Sequence, residues 1–160
     1  MLALLGRSGC CVEILDLPNF GSIDQLNMAE PGPALAETAA ALLPNRLTGD
    51  AIDLVLCWDL PNYLTLNALS ALMTSVGRRA RPGAVAHALI YYSGRDMPEH
   101  PAHFVPTADG ELVDRSAPGA AIPAPRYSAE ELGNGMGRFV LDRARLLGNG
   151  MQEFLFQLSS

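Results

Sequence analysis

The apolar positions along this chain fall into two patterns, one at helical spacing and one in short continuous runs. Ala51 to Trp58, AIDLVLCW, is the plainest run, and from Leu54 onward both of its faces are apolar. That pattern predicts a central parallel strand covered on each side. From about Asn62 to Arg79, Leu69, Leu72, Met73 and Val76 recur at i, i+3, i+4 and i+7, one stripe of a helix. Arg81-Pro82-Gly83 reads as the turn out of it, and Ala84 to Tyr92, AVAHALIYY, as a second buried strand. Upstream, Met1 to Leu5 predicts the last turns of a helix broken at Gly6 and Gly9. Cys11 to Leu17, CVEILDL, predicts a short strand ended by Pro18, and Pro33 to Leu43 a helix stopped by Pro44. Pro18 to Pro33 reads as irregular.

The second half opens on a proline- and glycine-dense excursion, Gly94 to Pro125, with a candidate hairpin around Asp109-Gly110. Excursions of this length inside a compact fold are usually functional or mobile. Ser128 and Glu131 stand at capping-box spacing before a short helix from Ser128 to Leu132. Arg138 to Leu147 and Met151 to Leu158 then read as two strands joined by Gly148-Asn149-Gly150, a hairpin. Strands alternating with helices, then a hairpin, predict a single α/β sandwich over residues 1–160 with a largely parallel sheet.

Gly133-Asn134-Gly135-Met136-Gly137 has the look of a nucleotide-binding loop. Such a loop must leave a parallel strand and enter a helix, so that backbone N–H groups and the helix dipole reach the phosphates. Here the order is reversed, and the motif is read as a helix stop that uses glycine's access to left-handed dihedrals. No Gly-x-Gly follows any predicted parallel strand.

Composition narrows the function. A net charge of −6 over 160 residues argues against a nucleic-acid partner, because a phosphate backbone attracts basic surfaces. Arg78, Arg79 and Arg81 are too few for a binding stripe and read as cations in the last turn of a helix. Charged residues make up 18%, a low share that fits a well-buried interior or a covered surface. Cys10, Cys11 and Cys57 form no disulfide framework and read as reduced thiols of a cytoplasmic protein. No apolar run reaches membrane-spanning length, so no membrane partner is expected. His87 reads as a satisfied core histidine. Glu99, His100 and His103 lack a fourth ligand nearby, so no metal is expected.

The stretch from Ile52 to Ser93 resembles the fourth strand, the following helix and the fifth strand of class I S-adenosylmethionine-dependent methyltransferases. Asp53 stands at the strand start, Leu54 to Trp58 form the apolar strand, Asp59 is the polar tip, and Pro82-Gly83 is the turn. Arg138 to Gln157 is similar to the last two strands of that fold, and CVEILDL to its second strand, whose terminal acidic residue contacts the cofactor ribose in many members. The resemblance implies a Rossmann-like three-layer sandwich, mostly parallel, ending in an antiparallel hairpin. It implies S-adenosylmethionine as cofactor, a small-molecule acceptor, and Asp16, Leu17, Trp58, Asp59 and Leu60 as cofactor contacts.

Asp59 suits a ligand contact and a helix N-cap equally, and Trp58 suits an adenine ring or the core. Asp59 to Tyr63, DLPNY, has the wrong spacing for the Asn/Asp-Pro-Pro-Tyr loop of amino methyltransferases. The family's first strand and glycine-rich loop have no counterpart. Either the chain begins in the helix after that loop, or VEILDLPNFG is the first strand with a decayed loop and Gly21 its one glycine. A truncated gene product, a start codon placed too far downstream and a non-catalytic relative all fit. Two other functions stay open: a non-catalytic module of this fold, for which a lost strand leaves an open edge that favours a homodimer, and a different α/β enzyme using Gly94 to Pro125 as a lid.

Overall fold

The computed structural model describes residues 21–44, 51–92, 96–102, 104–106, 112–114 and 119–159. The predicted helix at 1–5 and strand at 11–17, with Cys10 and Cys11, lie outside them. Two helices come first, α1 (Ser22–Met28) and α2 (Pro33–Leu42). Then follow β1 (Ile52–Trp58), a 3-10 turn at Leu60–Tyr63, α3 (Leu66–Gly77) and β2 (Ala80–Tyr91). The excursion holds four short strands, β3 (Asp96–Pro98), β4 (Phe104–Pro106), β5 (Leu112–Asp114) and β6 (Ala121–Pro123). Next come α4 (Ala129–Gly135), β7 (Phe139–Leu146) and β8 (Met151–Leu158).

The central sheet has the order β1-β2-β8-β7. Only β1 and β2 pair in parallel; β2 with β8 and β7 with β8 are antiparallel. The expectation of a mostly parallel sheet is therefore corrected. The second strand of the terminal hairpin takes the place beside β2, and that single insertion makes two of the three pairings antiparallel. β1 is an edge strand among the described residues, and Leu54 and Leu56 are 54% and 40% exposed instead of covered.

The core lies on one face. Leu26 of α1, Leu35 and Ala39 of α2 and Leu132 of α4 share one buried cluster with the inner residues of β2 and β8. The predicted stripe of α3, Leu69, Leu72, Met73 and Val76, is buried in the same cluster. Small residues on β2 make room for rings on β8: Ala86 lies opposite Phe156, and Ala88 opposite Phe154. The described residues thus form a helical layer on a sheet, and a second helical layer is not among them. No described helix is long and apolar enough to cross a membrane.

Local chemistry accounts for the element ends. Thr65, not Asp59, opens α3, its hydroxyl accepting from the Ala68 N–H at 3.2 Å. Ser128 and Glu131 form the predicted capping box, and the Ser128 hydrogen bonds hold the Glu131 carboxyl below its usual range. The Pro82-Gly83 turn is corrected: β2 already starts at Ala80, and the dipeptide forms a bulge, because Ile52 pairs with Ala80 while Leu54 pairs with Val85. The arginines are corrected too. Arg78 caps α3, but Arg79 donates to the Pro44 carbonyl at 2.7 Å, just past α2, and Arg81 pairs with Asp53 at 3.3 Å.

The glycine motif does end a helix, with Met136 as C-cap and Gly137 at φ 61°. Gly135 also has a packing reason, since a Cβ there would meet the Leu69 side chain at 3.1 Å. β7, the other edge among the described residues, is exposed beyond Phe139, bulged between Leu141 and Arg143, and carries Asp142, Arg143 and Arg145. Charge and bulge together discourage a further strand from adding there.

Cys57 is buried on the inner face, and desolvation pushes its thiol up to about 12. The thiolate is the reactive form. Native protein treated with iodoacetamide at pH 8 should therefore remain unmodified at Cys57, and the same residue should alkylate in urea. Peptide mass spectrometry reads both, and native labelling at Cys57 would refute the packing of β1.

Candidate functional site

The carboxyl end of β1 is where the chain departs from regular backbone. Trp58 sits at φ 51°, a left-handed conformation rare for a non-glycine residue, and Asp59 follows at φ −91°, ψ 0°. Consecutive residues in sparsely populated regions persist only when their surroundings hold them. Three sources of hydrogen bonds surround this turn.

The first is Asn62, 4% exposed. Its amide nitrogen donates to the Asp59 carbonyl at 2.7 Å and to the Leu89 carbonyl at 2.8 Å, and its Oδ1 accepts from the Tyr91 N–H at 3.1 Å. The second is the base of the excursion, where the Ala102 N–H donates to Asp59 Oδ2 at 2.9 Å. The third is Tyr63, whose hydroxyl lies 2.9 Å from the carbonyls of both Pro98 and His100 and shares its one proton between them. Burial first, then the charges of Asp59 and Tyr91, raise the Tyr63 phenol well above its ordinary value, so it stays a donor. Tyr127 further ties the approach to α4 to this turn by donating to the Leu64 carbonyl.

The predicted site residues part company here. Asp59 is 2% exposed and stands at the N-cap of the 3-10 turn, but its side chain makes no cap hydrogen bond there. Leu60 leans on the hydrophobic core. Trp58 is half-buried on the outer face of the sheet, its ring set edge-on to His87 at 5.8 Å and 76°. Asp16 and Leu17 lie outside the described residues.

His87 is not the fully satisfied histidine expected. Its Nε2 lies 3.3 Å from Glu153 Oε1, which requires the proton on Nε2 because a carboxylate only accepts. Nδ1 is buried without a partner. Glu153 also binds Arg145, at 2.9 Å. Among the described residues, no three His, Cys, Asp or Glu side chains are grouped to hold a metal ion.

Asn62 and Tyr63, set aside in the sequence because DLPNY has the wrong spacing for an Asn/Asp-Pro-Pro-Tyr loop, are the residues that brace this turn. Beyond that weak motif, their signal is position, immediately after the tip of the Ala51 to Trp58 run. A groove of about 260 Å³ between α2 and α3, lined by Gly32, Ala36, Ser70, Thr74 and Arg78 among others, belongs to different elements from this site.

No protein-family model and no curated protein matches the chain. Among solved structures it is similar to a S-adenosylmethionine-dependent methyltransferase from Clostridium acetobutylicum, at 14% identity and a TM-score of 0.46, over 72% of this chain and 62% of that one. A methyltransferase of the same cofactor class from Methanosarcina mazei gives 17% identity and a TM-score of 0.44, over 76% and 64%. The glycopeptide N-methyltransferase MtfA gives 13% identity and 0.39, over 98% and 92%. The chain thus spans less than two thirds of the first two. All three TM-scores lie below 0.5, and no activity is carried over from these proteins.

Proposed function

We propose that this chain is a class I methyltransferase-like protein that binds S-adenosylmethionine at the carboxyl end of β1, with a small molecule as methyl acceptor. The observation that carries the reading is the Trp58-Asp59 backbone. It is irregular, held by buried hydrogen bonds, and lies at the carboxyl end of a parallel strand, where open α/β sheets take ligands. Support also comes from topology, because the segments that carried the resemblance, β1, β2, β7 and β8, are the strands of one sheet.

The groups present suit such a ligand. Asp59 offers an acceptor for hydroxyl or amino donors, and Trp58 a ring face for a planar base. Asp16 and Leu17 complete the contact set on the resemblance. The cofactor, when bound, supplies a methyl on a sulfonium, and this chain's residues need only align the acceptor and keep water out. Tyr63, held protonated, donates to the Pro98 and His100 carbonyls and is not a base.

Calorimetric titration with S-adenosylhomocysteine tests the reading. Saturable binding in the micromolar range is the expected result, and no heat up to near-millimolar concentration would overturn it. A second reading, a non-catalytic module that forms a homodimer, is favoured by the exposure of Leu54, Leu56 and Val140 on the outer sheet face. It requires an oligomer by light scattering without ligand, and a monomer that binds the cofactor analogue would dismiss it.

A further inference from the structure

The excursion after β2 is fastened down at its base. β3 and β6 pair antiparallel, Asp96 with Pro123, Met97 with Ile122 and Pro98 with Ala121, and the Glu99 N–H extends the ladder to the Ala120 carbonyl at 2.9 Å. Met97 is 4% exposed. From this short ribbon the chain returns across the tip of β1, where Tyr63 holds the carbonyls of Pro98 and His100 and Asp59 takes the Ala102 N–H. Residues 98–102 thus meet the tip by three side-chain-to-backbone hydrogen bonds, and among the described residues no strand of the central sheet continues into them.

Asp59, the acid assigned to the ligand, is engaged by this segment. Its carboxylate is almost wholly out of solvent, and one oxygen already accepts from Ala102. While Ala102 donates to it, that oxygen is not open to a ligand. We infer that residues 97–102 form an autoinhibitory strap latched on Asp59 and Tyr63, and that ligand binding at the carboxyl end of β1 requires the strap to lift. The inference rests on the reading of Asp59 as a ligand contact. A strap held by a few hydrogen bonds opens by local, sub-global unfolding, leaving the sheet intact. The closed state lowers apparent ligand affinity by the fraction of molecules that are open, so weakening the latch tightens binding.

Tyr63→Phe removes the hydroxyl without touching Asp59. It orphans nothing buried, because Pro98 and His100 are exposed and water can take their carbonyls. Hydrogen exchange of the Ala102 amide, followed by NMR in ligand-free protein, should quicken about fivefold in this variant, the effect of losing one ordinary hydrogen bond. The Phe156 amide in the core should be unchanged. Met97→Ala, which removes the buried side chain of the β3–β6 ribbon that carries the strap, should quicken the same amide. The apparent affinity for S-adenosylhomocysteine should rise by the same factor in Tyr63→Phe. Unchanged exchange at Ala102 in both variants would overturn the latch. Faster exchange with unchanged ligand affinity would overturn the gating. If the analogue binds neither wild type nor variant, the functional reading fails, and the exchange comparison, which needs no ligand, decides whether the strap exists.

Discussion

Phe154→Ala should lower the stability of the fold by about 3–5 kcal/mol, the range for deleting a buried aromatic ring. Phe154 is fully buried at the middle of β8, the strand that pairs with β2 on one side and β7 on the other. Its ring stacks beside Phe156, with centroids 6.0 Å apart and planes 13° from parallel. Across the ladder stands Ala88, whose methyl cannot move into the space left behind. The loss therefore combines a transfer term with a cavity that the sheet cannot close. Urea unfolding should show a lower midpoint at unchanged slope. A loss below about 1 kcal/mol would mean that β8 does not sit centrally under the helices.

Where burial and local chemistry agreed, the sequence was legible. β1, α3, β2, α4 and the β7–β8 hairpin all follow from apolar spacing and caps, since each element's own residues specify it. α1 was hidden because SIDQLNM offers only Ile23, Leu26 and Met28 as apolar positions in a turn-rich stretch. It is fixed from outside. Leu26 is buried, and Asn27 donates to the Tyr63 carbonyl while accepting from the Thr65 N–H, both at 2.8 Å. The bulge at Pro82-Gly83 was hidden for a similar reason, as a local turn signal gave way to a ladder with Ile52. The place of β8 beside β2 was also beyond local reading, because either hairpin strand has the apolar content to go there. At the site, Asp59 was legible from position alone, but its partner was not, because Ala102 lies 43 residues further along.

Asn62→Ala should have the second large effect, and it bears on the site directly. The side chain joins the turn after β1 to the end of β2, across 27 to 29 residues of sequence. Truncation removes that partner from the Leu89 carbonyl and the Tyr91 N–H, both part-buried, while the Asp59 carbonyl keeps the Asn62 backbone N–H at 3.0 Å. The expected loss is about 2–4 kcal/mol, since unsatisfied buried groups cost about 1–3 kcal/mol each and partial relaxation offsets some of it. Asn62→Asp sharpens the test. Its ionised carboxylate still accepts from Tyr91 but can donate to neither carbonyl, and it adds a second negative charge beside Asp59. Burial and that neighbour raise the folded pKa of the new acid, so stability is present in the protonated form and lost as pH rises. The deficit of Asn62→Asp should therefore shrink as pH falls from 7 toward about 4, the ordinary range of an aspartate, while that of Asn62→Ala follows the wild-type profile. Thermal melts across this window read both. Parallel profiles for the two variants would mean that Asn62 is not a donor to Leu89 and Asp59. The Trp58-Asp59 turn would then owe its conformation to the Asn62 backbone N–H and the strap, and lifting the strap would loosen the ligand site instead of opening it.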